Sequence, residues 1–258
     1  MMLRTSPIAV RLPAAVLLPA IALAFALAFA LVFAGGPFLA AQARDRSMMD
    51  VSQYPLLSDD GQRVPNHAVK LPAPIEQLPG AVTVANPNGR TTLIEFYDLN
   101  CPFCRIASVD IGDLVDTDSD LKLVLVPYPV LGPASVAASR VELAVAQLGT
   151  PRQFYEFYRA VYAERGTTDG LRALAIAGAL GFNERAVSAL GDSEETTQIM
   201  NTHLALGDAL GLGATPSFII GGVAILGYPG REALQAMIDA VSACGKVICP
   251  APPPRPPI

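Results

Sequence analysis

Two cysteines separated by two residues, Cys101 and Cys104, are the residues of this chain best suited to chemistry. They follow a run rich in β-branched and aromatic residues, Thr91–Tyr97, which predicts a buried strand, and they precede a helical pattern that extends to about Val115. Cys101 is therefore expected at a helix N-terminus, where free backbone N–H groups and the positive end of the helix dipole favour a thiolate. Because the thiolate is the reactive form in disulfide exchange, this arrangement predicts a redox-active pair.

Cys104 is predicted to lie one helical turn beyond Cys101 and to be more deeply buried. From there its sulfur can attack a mixed disulfide at Cys101 and release a bound substrate. The alternative interpretation is half of a zinc site, which needs two more ligands. The remaining cysteines and histidines do not form pairs at the spacing of a zinc site: Cys244, Cys249, His67 and His203. The sequence thus predicts no metal site, and no motif in it calls for another cofactor.

The elements that must position this pair alternate between strand and helix. A strand pattern covers residues 121–126, and residues 133–210 are then alanine-rich and helical. Strand patterns return at residues 216–220 and 223–226, on either side of a Gly-Gly pair that is typical of a hairpin, and a last helix is predicted at residues 230–241. One α/β sheet can combine the strand–helix–strand half with the hairpin–helix half, and the helices between them are then an insertion.

Two segments of the chain resemble a known family. Residues 95–104, Glu-Phe-Tyr-Asp-Leu-Asn-Cys-Pro-Phe-Cys, resemble the active-site segment of the DsbA family of thioredoxin-fold thiol:disulfide oxidoreductases. Residues 213–222, Gly-Ala-Thr-Pro-Ser-Phe-Ile-Ile-Gly-Gly, resemble the cis-proline loop and the following hairpin of that family. The resemblance extends from about residue 81 to residue 242 and includes the helical block between the two segments.

The resemblance implies an α/β thioredoxin-like fold with an inserted helical subdomain. Residues 81–130 and 211–243 would form the thioredoxin-like domain, and residues 131–210 would form the insertion. The implied substrates are exported proteins with cysteine thiols. A DsbB-like membrane quinone reductase would reoxidise the chain if it is an oxidase, and a membrane electron donor would keep it reduced if it is an isomerase or reductase.

The resemblance also implies roles for three further residues. Pro216 would have a cis peptide bond and face Cys101, and the backbone of Thr215 would be free to pair with an extended substrate peptide. Glu95 would lie buried beneath the cysteines and exchange a proton with Cys104, because a desolvated carboxyl has a raised pKa. Strand alternation alone would allow Glu95 to point to solvent, but a sheet that is covered on both faces has no outward face.

Pro102 and Phe103, between the two cysteines, are expected to tune the redox chemistry. Proline suits the first helical position because it needs no N–H partner there. The best-known oxidant of the family carries a histidine where this chain has Phe103, and a phenylalanine can give neither a hydrogen bond nor a charge to the Cys101 thiolate. We therefore expect a less oxidising disulfide. The favoured interpretation is an oxidase, and the alternative is a disulfide isomerase or reductase.

The apolar content of the chain, 52% of 258 residues, is concentrated at its N-terminus. Arg11 is followed by 32 uncharged residues, and Ala-Gln-Ala at residues 41–43 has the pattern of a cleavage site, so residues 1–43 are predicted to be a signal peptide. The 21 residues at 14–34 are also long enough to stay in the membrane as an uncleaved anchor. Both interpretations place the rest of the chain outside the cytoplasm, in the periplasm.

Proline-rich segments flank the predicted domain. Residues 44–80 hold five prolines and little apolar periodicity, which indicates an extended lead-in, and residues 250–258 hold six prolines, which indicates a disordered tail. Cys244 and Cys249 follow the last helix with four residues between them. In an oxidising compartment they are expected to form a structural disulfide, and the alternative is a second redox couple.

The charge of the chain argues against one class of partner. A formal net charge of −5 without a cluster of lysines and arginines is unsuited to nucleic-acid binding. The prolines of the lead-in argue against a long oligomerising helix, so a monomer is expected. A function of a different class, a metal-binding or peptide-holding chaperone on the same fold, would be recognised by a metal that the protein retains through purification.

Overall fold

The computed structural model describes residues 52–251 of the chain. The predicted signal peptide at residues 1–43, its anchor alternative at residues 14–34 and all but the first two residues of the proline-rich tail lie outside this range. Within the described residues, none of the helices combines the length and the hydropathy that a membrane span requires.

The described residues form six strands, seven α-helices and a short 3₁₀ turn at Ile75–Gln77. The strands are β1 (Asn66–Ala68), β2 (Val82–Ala85), β3 (Thr91–Tyr97), β4 (Leu121–Pro127), β5 (Ser217–Ile220) and β6 (Val223–Leu226). The helices are α1 (Pro102–Thr117), α2 (Pro133–Leu148), α3 (Pro151–Ala163), α4 (Gly170–Ala179), α5 (Glu184–Gly191), α6 (Glu194–Ala209) and α7 (Arg231–Cys244).

The strands form one mixed sheet in the order β1-β6-β5-β3-β4-β2. β3 and β4 are parallel at its centre and are joined by a crossover through α1, and the other neighbouring strands are antiparallel. β3 and β4 run in the same direction, and β5 runs against β3. The C-terminal ends of β3 and β4 and the N-terminal end of β5 therefore lie on the same side of the sheet, where the strands end. The loops on this side bring residues that are distant in sequence close together.

The sheet separates two hydrophobic cores, because successive side chains along a strand point to opposite faces. On β3, Leu93 and Tyr97 pack into a core with α1, α7 and helices between β4 and β5, whereas Ile94 and Phe96 pack into a second core with residues around the end of α6. Glu95 lies between Leu93 and Tyr97 on the same face of the strand and is fully buried. The solvent-facing alternative for this carboxyl therefore does not occur.

Helices α2–α6 fill residues 133–209 between β4 and β5, within the range 131–210 that we assigned to an insertion. We refer to them as the helical insertion. Local side chains set where these helices begin: Thr150 and Gln153 form a capping box at α3, and each of the next three helices has a polar side chain at its N-cap, namely Asp169, Asn183 and Ser193. All five helices thus lie within residues 133–210, the stretch that the sequence predicts to be helical.

Residues 52–80 differ from the extended lead-in that we expected, because they belong to the same compact unit as the rest of the described chain. β1 pairs with β6 and adds an edge strand to the sheet. The Asp59 carboxylate accepts hydrogen bonds from the backbone N–H groups of Glu232 (3.2 Å) and Ala233 (2.7 Å) and so caps α7, whose own N-cap residue is Gly230. A three-residue strand and a cap supplied from a distant segment leave no periodic pattern, and for this reason the sequence did not predict them.

Candidate active site

Cys101 is the N-cap residue of α1, and its sulfur accepts a hydrogen bond from the backbone N–H of Cys104 at 3.3 Å. Pro102 occupies the first helical position, as the sequence predicts. The two cysteines are free thiols in this structure, and both are buried. The thiol that caps the helix thus lies where unpaired N–H groups stabilise its anion.

The two thiols differ sharply in acidity. Hydrogen bonds from the Cys104 side chain and from backbone N–H groups of Cys104 and Phe103 lower the pKa of Cys101 to about 6, against the opposing effect of burial. Burial raises the pKa of Cys104 far above its ordinary value, and its hydrogen bond to Cys101 and the charge of Glu95 raise it further. Cys101 is therefore the more acidic of the two thiols and forms a thiolate more readily, whereas Cys104 keeps its proton at neutral pH.

The loop before β5 brings Thr215 and Pro216 to Cys101. The peptide bond between Thr215 and Pro216 is cis. The Thr215 carbonyl oxygen lies 3.1 Å from the Cys101 sulfur and accepts a hydrogen bond from the thiol. The structure therefore brings together residues that are 114 positions apart in the chain.

Glu95 lies on β3, six residues before Cys101, with its carboxyl in the core. The Tyr158 hydroxyl donates a hydrogen bond to its Oε2 atom at 3.0 Å, and its Oε1 atom has no hydrogen-bond partner among the described residues. Desolvation raises the pKa of Glu95 to about 8, although the Tyr158 hydrogen bond lowers it. A carboxyl with this pKa is protonated at neutral pH and can donate or accept a proton near it.

Three tyrosines and a second buried acid surround Glu95. The rings of Tyr97 and Tyr162 each pack edge-to-face on the ring of Tyr158, with centroids 4.9 Å apart in both pairs. Tyr97 donates a hydrogen bond to Glu142, a fully buried acid on α2 whose pKa burial raises to about 8. The aromatic cluster therefore joins β3 to the helical insertion beneath the cysteines.

The sequence did not single out Tyr158 or Glu142 as site residues. Aromatic residues recur at helical spacing on α3, which is typical of a core stripe, so nothing local separates Tyr158 from Phe154 and Phe157. The contact between Tyr158 and Glu95 joins residues 63 positions apart. Only the packing of α3 against the sheet identifies Tyr158 as the partner of the carboxyl.

Asp98 holds together the loops that follow the two parallel strands. It is only 1% exposed, and its carboxylate accepts hydrogen bonds from the backbone N–H groups of Asn100 (2.8 Å), Val130 (2.8 Å) and Leu131 (2.9 Å) and from the Ser135 hydroxyl (2.7 Å). The loop that leads to the cysteines is therefore bound to the loop after β4 and to the first turn of α2.

Phe103 and Ile106 form an apolar surface beside the cysteines. Phe103 is 60% exposed and Ile106 is 54% exposed. Both line a cavity of about 410 Å³ whose other walls include Tyr228 and residues of the segment 58–65. Phe103 thus presents an apolar surface to solvent and has no group that could donate a hydrogen bond to the Cys101 sulfur.

Cys244 and Cys249 are joined by a disulfide bond after α7. Tyr228 and Gly230, next to the start of α7, line the same cavity as Phe103, whereas Cys244 ends this helix. Arg231 and Cys244 are thirteen positions apart at the two ends of this helix, which corresponds to roughly 20 Å. The structure therefore does not bring this pair to Cys101 and Cys104.

The zinc alternative finds no ligand set in the described part of the chain. Within residues 52–251, no group of three His, Cys, Asp or Glu side chains could hold a metal ion. His67 contacts the carbonyl oxygen of Leu210 at 2.8 Å, and the two ring nitrogens of His203 contact the carbonyl oxygens of Pro127 (2.9 Å) and Pro79 (2.7 Å). Each histidine ring therefore makes hydrogen bonds to backbone carbonyl groups that are distant from it in the chain.

Comparison with known proteins supports the resemblance seen in the sequence. A family model described as "DSBA-like thioredoxin domain" matches residues 92–239. The predicted α/β thioredoxin-like fold is confirmed by this match and by the mixed sheet with its helices. No curated protein matches the chain.

Solved structures of similar proteins are found as well. A thioredoxin-like oxidoreductase from Silicibacter pomeroyi DSS-3 is 31% identical, with a TM-score of 0.61 over 67% of this chain and 99% of that one. The thiol-disulfide exchange protein alpha-DsbA2 from Wolbachia pipientis is 26% identical, with a TM-score of 0.59 over 65% of this chain and 89% of that one. BdbD from Bacillus subtilis, at 19% identity and a TM-score of 0.56 over 67% and 96% of the two chains, shares the fold.

Proposed function

We propose a direction of catalysis for this chain, which belongs to the family of DSBA-like thioredoxin domains and is a thiol:disulfide oxidoreductase. It acts as an exported oxidase that donates a Cys101–Cys104 disulfide to the cysteine thiols of exported proteins. The observation that carries this proposal is the difference between the two thiols. A reduced form with a stable Cys101 thiolate, at a pKa of about 6, makes the corresponding disulfide an oxidant.

The reaction begins when a substrate thiolate attacks the Cys101 sulfur of the disulfide. The Cys101–Cys104 bond breaks, a mixed disulfide forms at Cys101, and Cys104 leaves with the electron pair. A second substrate thiolate then attacks the substrate sulfur of the mixed disulfide, and Cys101 leaves as its stable thiolate. The substrate loses two electrons and gains a disulfide, and the enzyme is reduced by the same two electrons.

Glu95 supplies the proton for the buried leaving group. Cys104 cannot remain a thiolate in its apolar surroundings, because burial raises its pKa far above neutral pH. The Glu95 carboxyl, with a pKa of about 8, holds a proton at neutral pH and is close enough for its charge to affect Cys104. It therefore acts as the internal acid when the disulfide opens and as the base when it forms again.

Substrate recognition uses the loop around Thr215 and the surface beside it. The Thr215 backbone, 3.1 Å from the Cys101 sulfur at its carbonyl, is placed to pair with an extended peptide as an added strand. Phe103 contacts apolar residues of that peptide and tunes the disulfide toward a less oxidising potential than a histidine would. Pro102 keeps the helix start in place.

Export and reoxidation complete the proposed function. Residues 1–43 have the pattern of a signal sequence, which supports a location in the periplasm, where disulfides form and persist. The reduced enzyme then returns its two electrons to a DsbB-like membrane quinone reductase. It works as a monomer whose thioredoxin-like domain, residues 81–130 and 211–243, carries the insertion at residues 131–210.

The reduction potential of Cys101–Cys104 tests the direction. It is measured in glutathione buffers on a variant with Cys244→Ser and Cys249→Ser, so that the measured potential belongs to the Cys101–Cys104 pair alone. An oxidase is expected to lie nearer the roughly −120 mV of a strong oxidant than the roughly −270 mV of thioredoxin. The matched variant Phe103→His is expected to be more oxidising. A potential near that of thioredoxin would contradict the oxidase and favour a reductase or isomerase.

A further inference from the structure

The residues on either side of the two cysteines are bound to the same part of the helical insertion. This part, residues 162–168, contains the last residues of α3 and most of the loop that leads to α4, and we call it the brace segment. Asn100 precedes Cys101 and Arg105 follows Cys104, and both side chains contact the brace segment.

Asn100 pairs with the backbone of Thr168 as one strand pairs with another. Its Oδ1 atom accepts a hydrogen bond from the Thr168 N–H at 2.7 Å, and its Nδ2 atom donates to the Thr168 carbonyl at 2.9 Å. The same Nδ2 atom donates to the Ser135 hydroxyl at 3.2 Å. Because Thr168 and Ser135 are buried, these bonds are shielded from water and fix the side chain next to Cys101.

Arg105 binds the C-terminal end of α3. Its guanidinium donates hydrogen bonds to the carbonyl oxygens of Tyr162 and Glu164, and its central carbon lies 5.7 Å from the centre of the Tyr162 ring. The last carbonyls of a helix lack partners within the helix and carry the negative end of its dipole, so a cation is favourable there. The first turn of α1 is thereby attached to the brace segment.

Tyr162 adds a third connection, directly behind Cys101. Its hydroxyl donates to the Asp98 carbonyl oxygen at 2.9 Å. The same carbonyl accepts the backbone N–H of Cys101, also at 2.9 Å. The turn that leads to Cys101 and the first turn of α1 are thus both bound to the brace segment by hydrogen bonds.

We propose that Asn100 and Arg105 are positioning residues through which the brace segment sets the place of the Cys101 sulfur at the start of α1. The Cys101 sulfur accepts hydrogen bonds from Cys104, among them one from its N–H at 3.3 Å, and such bonds weaken steeply when donor and acceptor move apart or out of line. If residues 98–105 were free to move, the hydrogen bond between the Cys104 N–H and the Cys101 sulfur would be formed for a smaller fraction of the time. The inserted helices therefore control the acidity of Cys101 and do more than cover the sheet.

The test is the pKa of Cys101 in the reduced full-length protein, followed through the ultraviolet absorbance of the thiolate as pH is varied. Asn100→Ala and Arg105→Met are each expected to raise this pKa by about one unit, which lowers the thiolate fraction about tenfold at pH values below it. Reaction with an alkylating reagent at the same pH should slow by a similar factor.

A matched control separates positioning from a general loss of stability. Asn183→Ala removes the side chain that caps α5 in the same insertion through the Ala186 N–H, and in the described part of the chain this side chain makes no hydrogen bond to the brace segment. It is expected to destabilise the fold and leave the pKa of Cys101 unchanged.

Two outcomes would overturn the proposal: a folded Asn100→Ala or Arg105→Met protein with the wild-type pKa, or an equal rise in Asn183→Ala. If Asn100→Ala does not fold, Arg105→Met decides alone, because Arg105 is only partly buried on the surface of α1. The readout does not depend on whether the enzyme is an oxidase, so it can fail or succeed independently of that assignment.

Discussion

The acidity of a cysteine in this protein is decided within a few ångströms of its sulfur. Cys101 and Cys104 are three positions apart. Cys101 caps a helix, whereas Cys104 lies in the first turn of that helix and is fully buried. Hydrogen bonds lower one pKa and burial raises the other. The same balance applies to Glu95, where burial raises the pKa and the Tyr158 hydroxyl lowers it.

Removal of the Tyr158 hydroxyl tests this balance. Tyr158→Phe deletes a 3.0 Å hydrogen bond to a buried carboxyl, so the pKa of Glu95 is expected to rise above its value of about 8 by about one unit, since such bonds to a charged group contribute about 1.5–3 kcal/mol. The carboxyl signal of Glu95, followed by isotope-edited NMR as pH is raised, measures the change.

The control for this experiment lies on the same helix. The Tyr155 hydroxyl has no hydrogen-bond partner among the described residues, and its ring stacks on Tyr158. Tyr155→Phe should therefore leave the Glu95 titration where it is. An unchanged titration in Tyr158→Phe would show that the hydroxyl does not set the acidity of Glu95.

At the scale of elements, helix starts were easier to predict than the contacts between distant segments. A cap such as Thr150 with Gln153 lies within one turn and is visible in the sequence. The start of α7 is capped through hydrogen bonds that span 173 and 174 positions of the chain, because Gly230 offers no side chain and Asp59 takes its place. The turn around residues 58–62 is thereby fixed at the cavity that Phe103 and Ile106 line.

Loss of this distant cap should weaken the whole domain. Asp59→Ala leaves two N–H groups of α7 without their partner and is expected to lower the free energy of unfolding by about 1 kcal/mol. Urea denaturation measures the difference. Asp60→Ala is the matched control, because within residues 52–251 the Asp60 carboxylate accepts hydrogen bonds only from Ser58 and Gln62 of its own turn, and it should change stability much less.

At the scale of the whole molecule, folding places two carboxyls in a core that disfavours their charge. Glu95 and Glu142 are fully buried, and desolvation raises both pKa values to about 8 from an ordinary value of 4.5. The folded state therefore binds more protons than the unfolded state between these values. The stabilising contribution is complete below about pH 4.5 and is lost as pH rises through about 8.

Replacement of Glu142 by a neutral isostere should remove its part of this pH dependence. Glu142→Gln keeps an acceptor for Tyr97 and cannot ionise, so its free energy of unfolding should fall less steeply between pH 5 and 8 than that of the wild type. The two slopes should differ by up to about 1.4 kcal/mol per pH unit. Parallel slopes in urea denaturation series would show that Glu142 ionises normally in the folded protein.

The sequence by itself determined the helix start at the cysteine pair, the strands beside it, the helical block between the two strand segments and the family of the fold. These features follow from neighbours within one helical turn or one strand, where periodicity, proline and capping side chains act locally. Pro102 at the first position of α1 and the Gly-Gly hairpin after β5 are examples.

The tertiary structure alone decided which distant residues meet. The edge strand β1, the Asp59 cap, the Tyr158 partner of Glu95 and the Asn100 contact with Thr168 each join positions far apart in the chain. Buried polar groups need a hydrogen-bond partner, and packing determines which partner lies close enough. Because that partner can be far away in the chain, the sequence contains no local pattern that identifies it. The cysteines are thus evident from their spacing, and their acidity follows from the packing around them.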